Sequence, residues 1–153
     1  HPDEMITELK LALPPVPKAA GLYKPVLMQG DLVYFSGHLP ILSDGSMITG
    51  RVGTELSIEE GAAAARHIGL SVLSSLKEKL GSLNQISSLV KLLGMVNAPS
   101  SFSEHPKVIN GCSELFREIW GEDLGVGVRS AFGVSGLPGN ASVEIEGIFQ
   151  LAQ

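Results

Sequence analysis

The chain has 153 residues, 44% of them apolar and 18% charged, and a formal net charge of −5. That length and composition fit one folded domain with a real core and exclude a disordered chain. The acidic balance, with 11 scattered basic residues, argues against a nucleic acid as the main partner, because phosphate-backbone binding needs clustered Lys and Arg.

Pro2-Asp3-Glu4 opens a short helix, since Pro and Asp are favoured at a helix start; Met5, Ile6 and Leu9 lie on one side. These acidic residues precede any apolar stretch, so the segment does not read as a secretory signal. Leu13-Pro14-Pro15-Val16-Pro17 must run extended, because each proline pushes the preceding residue out of the helical region. Residues 1–19 therefore read as an N-terminal extension, and 20–153 as the domain proper.

Val26 to Gln29 and Leu32 to Ser36 flank Gly30-Asp31, the pattern of a hairpin. Ser43-Asp44-Gly45-Ser46 reads as another turn. Ser57 to Leu80 is the clearest helix. Ser57-Ile58-Glu59-Glu60 is a capping box, Ile58, Ala62, Ala65, Val72, Leu76 and Leu80 recur at helical spacing, and Gly81 stops it. Leu89 to Val96 fits a mostly buried strand. A second helix runs from near Pro106 to Trp120, with Ile109, Cys112 and Ile119 inward and Gly121 closing it. Val128 to Val134 and Ser142 to Leu151 are the last strands.

Strands grouped around two helices predict an α+β fold, a mixed sheet with both helices on one face. The other face carries Glu144, Glu146 and Ile148, only partly polar, so another subunit is expected to cover it. No apolar run approaches the roughly 20 residues needed to span a bilayer. The single cysteine, Cys112, rules out an intrachain disulfide and favours a reducing compartment. The cytoplasm is the expected location.

The chemistry concentrates in the last third. Arg129 sits in an apolar strand, a Gly/Pro/Asn turn follows, and the next strand carries carboxylates. Two strands joined by such a turn would hold a fixed cation near a carboxylate. A guanidinium grips a substrate carboxylate through two parallel hydrogen bonds, and a carboxylate can place or activate a water. On the residues alone Arg129 reads equally as an ion-pair partner of Glu144 or Glu146, and nothing chooses between the two glutamates. His38 follows a strand and reads as a loop hydrogen-bonder or as an acid–base group. His67 and His105 read as packing and turn residues. The four histidines and Cys112 show no metal-ligand spacing, so no metal is expected. Cys112 reads as a buried, inert thiol.

Taken together, these segments resemble the YjgF/YER057c/UK114 (Rid) family, also labelled endoribonuclease L-PSP. The resemblance rests on Ser36-Gly37-His38-Leu39-Pro40 against the family's S-G-Q-x-P, and on the capped helix ending at Gly81. It rests further on Asn110 in the second helix, Arg129-Ser130, and Leu137-Pro138 leading to Val143-Glu144-Ile145-Glu146. It covers roughly residues 20 to 151. The extended N-terminus, Thr49-Gly50-Arg51-Val52-Gly53 and Lys107-Val108-Ile109-Asn110-Gly111 look most like the chorismate-mutase-like branch.

The resemblance implies a chorismate-mutase-like protomer, a homotrimer with ligand clefts between subunits, a small carboxylated metabolite as partner, and no metal or organic cofactor. It implies hydrolysis of reactive enamine and imine acids, such as 2-aminoacrylate, to 2-keto acids and ammonia, as in a 2-iminobutanoate/2-iminopropanoate deaminase. By position, Arg129 would bind the substrate carboxylate and Glu144 would hold the attacking water. Tyr23, Ser36 and Asn110 would line the pocket. Ala131 stands where the family has a cysteine that contacts ligand through its main chain, and His38 where it has glutamine. Two alternatives remain: a non-catalytic binding or sensor protein for 2-keto acids, and a ribonuclease, which the acidic balance disfavours.

Overall fold

The computed structural model describes residues 1–153. The elements follow the expected order: helix α1 (Pro2–Glu8), strands β1 (Val26–Gln29) and β2 (Leu32–His38), helix α2 (Ile58–Leu80), strand β3 (Ile86–Asn97), helix α3 (His105–Leu124), and strands β4 (Val128–Val134) and β5 (Val143–Leu151). Short 3-10 turns occupy Leu83–Gln85 and Pro138–Asn140.

Local chemistry accounts for the boundaries. β1 and β2 pair antiparallel from Val26↔Phe35 to Gln29↔Leu32, so Gly30-Asp31 is a two-residue hairpin turn. The capping box is present: Glu60 N–H donates to Ser57 Oγ at 3.1 Å and Ser57 N–H to Glu60 Oε1 at 3.0 Å. Losing such a cap costs about 1 kcal/mol, so Ser57→Ala should lower the unfolding free energy by about that much in a urea titration. α3 differs from expectation at its end. Gly121 takes φ 89° and breaks the regular helix, but a further turn follows to Leu124. β3 begins at Ile86, ahead of the expected Leu89, with register irregularities at Ile86/Ser88 and Leu89/Lys91.

The sheet order is β1-β2-β5-β3-β4, and only the β3–β4 pair is parallel. β4 and β5 are therefore not neighbours: β3 lies between them, because the chain crosses from β3 to β4 through α3. α2 and α3 cover one face. Between helices and sheet, Phe149 meets Phe35, Phe116 and Trp120 at ring-centroid distances of 5.0 to 5.9 Å. Trp120 satisfies its ring N–H on Ile86 O at 3.2 Å. α1 is tied down at its start, where Asp3 accepts from Ser82 Oγ at 2.5 Å and from Leu83 N–H at 3.3 Å. Met5, Ile6, Leu11 and Leu13 pack against the core.

The opposite face is bare. In register across it run Leu27, Tyr34, Ile148, Lys91 and Val128. Leu27, Tyr34, Val128 and Phe132 are exposed.

Candidate functional site

Arg129 lies on the edge strand β4, opposite Leu92 of β3, which in turn faces Gly147 of β5. Leu92 is buried beneath the helices, so Arg129 points to the helix side of the sheet. There its Nη1 donates to Asn110 Oδ1 at 2.7 Å and to Ser113 Oγ at 3.0 Å, both on α3. Arg129 has no carboxylate partner within the chain; the ion pairs are His1–Glu4, Arg66–Glu118, Lys107–Glu104 and Arg117–Glu122. Nε and Nη2 are left free, a side-on pair of donors suited to a carboxylate. They open on a cavity of about 380 Å³ between α3 and the start of β4. Ala131 follows on the same face, half-buried against the core.

Glu144 sits opposite Met95 and Phe132, so it points to the bare face. The expectation of a cation and a carboxylate side by side on joined strands is therefore corrected within one protomer. The two groups are separated by β3 and lie on opposite faces. Glu144 rests against the irregular turn of β2, where a Cβ at Gly37 would come within 2.1 Å of its Oε2. Half-burial raises its pKa above the ordinary carboxylate value, and the neighbouring Glu146 adds to the rise. Such a carboxylate takes up a proton more readily at neutral pH, as a general base must. Burial also pushes the Cys112 thiol up, against a smaller opposing pull from Arg129. Cys112 is thus a poor nucleophile, and Arg129 acts on α3 rather than on Glu144.

Ser36 borders the same bare face. Its hydroxyl donates to Lys24 O at 2.5 Å, and it lines a cavity of about 430 Å³ with Tyr34, Lys91 and Glu146. Tyr23 is exposed and accepts from Ala20 N–H at 3.3 Å, bordering a crevice of about 60 Å³ beside Gly37 and His38. The structure thus makes two half-sites: Arg129 with Asn110 on the helix side, and Glu144 against Gly37 on the bare side, while the adjacent Ser36 lines a cavity that Glu146 shares.

His38 is a buried hydrogen-bonder. Its Nδ1 donates to Ser36 O at 2.7 Å, which leaves Nε2 to accept from Ser75 Oγ at 2.9 Å. Burial lowers its pKa below 6.5, outweighing the raising effect of the Ser36 bond. The unfolded chain therefore binds more protons than the folded one in the window just below 6.5. This contribution to stability is complete above that value and is lost as pH falls to the lowered one. Thermal melts should show a drop in Tm on acidification below about pH 6.5 that is smaller in His38→Gln; equal pH slopes would refute it. Glu144 acts with the opposite sign, from 4.5 upward, so the difference between the two proteins isolates the histidine.

Ser113 was not anticipated. Its only signal is its place three residues after Asn110, on the same side of α3. No group of three His, Cys, Asp or Glu side chains is placed to hold a metal ion, and no helix is long and apolar enough to cross a membrane.

A mixed five-stranded sheet with two long helices on one face defines a chorismate-mutase-like α+β protein. The sequence profile described as "YjgF/chorismate_mutase-like, putative endoribonuclease" matches residues 4–145. Protein TCP17 of Trypanosoma cruzi is 36% identical over 146 residues, 95% of this chain and 91% of that protein. The crystal structure of a "putative endoribonuclease" from Shewanella oneidensis superposes with a TM-score of 0.92 at 31% identity, covering 98% of this chain and 99% of that one. RidA from the Antarctic bacterium Psychrobacter superposes with a TM-score of 0.61 at 26% identity, covering 88% of this chain and 93% of that one. The chain belongs to the YjgF/YER057c/UK114 family, and its shape follows the Shewanella protein more tightly than RidA.

Proposed function

We propose that the protein is a Rid-type hydrolase that converts reactive 2-imino and enamine acids into 2-keto acids and ammonia, working as a homotrimer in the cytoplasm. The observation that carries this reading is the unpaired Arg129 guanidinium, fixed by Asn110 and Ser113 with two donors free. The bare sheet face, with Leu27, Tyr34, Val128 and Phe132 exposed, supports assembly, since a monomer seldom leaves such a patch in water. Closing three sheets around that face would bring the Glu144 half-site of one copy to the Arg129 edge of the next.

In the composite cleft, Arg129 holds the substrate carboxylate, with Asn110 fixing the guanidinium and the Ala131 main chain alongside. Glu144 of the adjoining copy accepts a proton as water adds to the imine carbon and passes it to the nitrogen, then takes the proton of the new hydroxyl and delivers it to the same nitrogen. The C–N bond then breaks, giving a carbonyl and ammonia. Ser36 and Tyr23 wall the water side. Fixed charge and orientation, rather than covalent chemistry, supply the acceleration.

The test is ammonia release from 2-aminoacrylate generated in place by a dehydratase. Catalysis requires acceleration over spontaneous hydrolysis of the free imine; none would refute the proposal. Saturable binding of 2-oxobutanoate without turnover would point instead to a sensor for keto acids.

A further inference from the structure

A further cavity of about 530 Å³ lies where the Arg51 loop, the turn at 98–102, the start of α3 and the end of β4 meet. Arg51, Ser100, Phe102, His105 and Ser135 line it, and no carboxylate side chain does. It shares no lining residue with the Arg129 cavity. Gly133, at its edge, is four residues along β4 from Arg129, about 13 Å at strand spacing.

Arg51 is held in one orientation. Its Nε donates to Asn97 Oδ1 at 3.3 Å and its Nη2 to Ala98 O at 2.7 Å. Asn97 is buried, and its own amide is fixed, Nδ2 donating to Asn140 Oδ1 at 3.2 Å and to Ala141 O at 3.1 Å. Its carbonyl must therefore face Arg51. The remaining guanidinium N–H groups find no acceptor within the chain, and Arg51 belongs to none of the ion pairs. The carboxylate on its own loop, Glu55, is engaged elsewhere, accepting from the Arg51 backbone N–H at 3.1 Å.

His105 adds a second group. Its ring meets Phe102 edge-on at a centroid distance of 5.1 Å. Nε2 lies over Gly133, where a Cβ would approach within 2.5 Å; the absence of a side chain there gives the imidazole its place. A pinned, uncompensated guanidinium beside an imidazole and two hydroxyls is a receptor for an oxyanion.

We propose that this cavity binds a small anionic metabolite through a carboxylate or phosphate group, as a second anion site separate from Arg129. This stands whether or not imines are the substrate.

The experiment is isothermal titration of the intact protein with inorganic phosphate and, separately, with succinate. The variants are Arg51→Lys, which keeps charge but loses the fork, His105→Gln, and Arg129→Ala. Saturable binding of at least one probe is expected, with a component that persists in Arg129→Ala and is weakened tenfold or more in Arg51→Lys and in His105→Gln. Phosphate alone would assign a phosphate-bearing ligand, succinate alone a carboxylate. No saturable binding of either probe to wild type would overturn the proposal. So would binding that survives Arg51→Lys and His105→Gln but disappears in Arg129→Ala, since the anion would then occupy the other cleft.

Discussion

Arg129→Ala should cut kcat/KM for 2-aminoacrylate hydrolysis by about 10²-fold or more, the scale expected when a preorganised charge at the reacting group is removed. Arg129→Lys should recover little. Lysine offers a single ammonium, whereas the arginine uses Nη1 to lock onto Asn110 and Ser113 while Nε and Nη2 stay free. The loss should be specific to the site. Arg129 is exposed and pairs with no carboxylate in the chain, so both variants should melt within a few degrees of wild type. A variant with unchanged kcat/KM would remove Arg129 from the chemistry.

Gly111→Ala should destabilise the fold by about 3 kcal/mol, the upper end of the usual overpacking range. A Cβ at Gly111 would fall 1.9 Å from Ala62 O and 2.8 Å from Ala62 C. The obstacle is backbone, so no side-chain rotation relieves it, and α2 and α3 must separate. They have little room: Ala65, Ile68, Cys112 and Leu115 are fully buried near the same seam. The displaced helix also carries Asn110 and Ser113, so the site should loosen with the fold. Urea unfolding at fixed protein concentration measures this; a loss below 1 kcal/mol would show that the helices give way easily.

The local parts of this fold were legible in the sequence because short-range chemistry specifies them. The Ser57/Glu60 box, the Gly30-Asp31 hairpin and the inner face of α3 each require only neighbours a few residues away. The arrangement of the candidate site was not legible in the same way. That Arg129 and Glu144 are kept apart follows from β3 inserting between β4 and β5, and that they lie on opposite faces from its register, with Leu92 beside Arg129 and Met95 beside Glu144. That insertion is a property of the whole sheet, which no spacing within residues 128–146 encodes. The Arg51–Asn97–Asn140 chain likewise joins a loop, the end of β3 and a 3-10 turn that are distant in sequence. His38 was ambiguous until its partner, Ser75 on α2, was known.

The central claim is that a working site takes Arg129 from one copy and Glu144 from another. Subunit complementation tests it directly. Arg129→Ala and Glu144→Gln, each inactive alone, are unfolded, mixed in equal amounts and refolded together. In random mixed oligomers roughly a quarter of the clefts pair an intact Arg129 with an intact Glu144 across the boundary, so activity should return to roughly a quarter of wild type. If refolded mixtures that contain both chains in one oligomer stay as inactive as either variant alone, the composite site is contradicted.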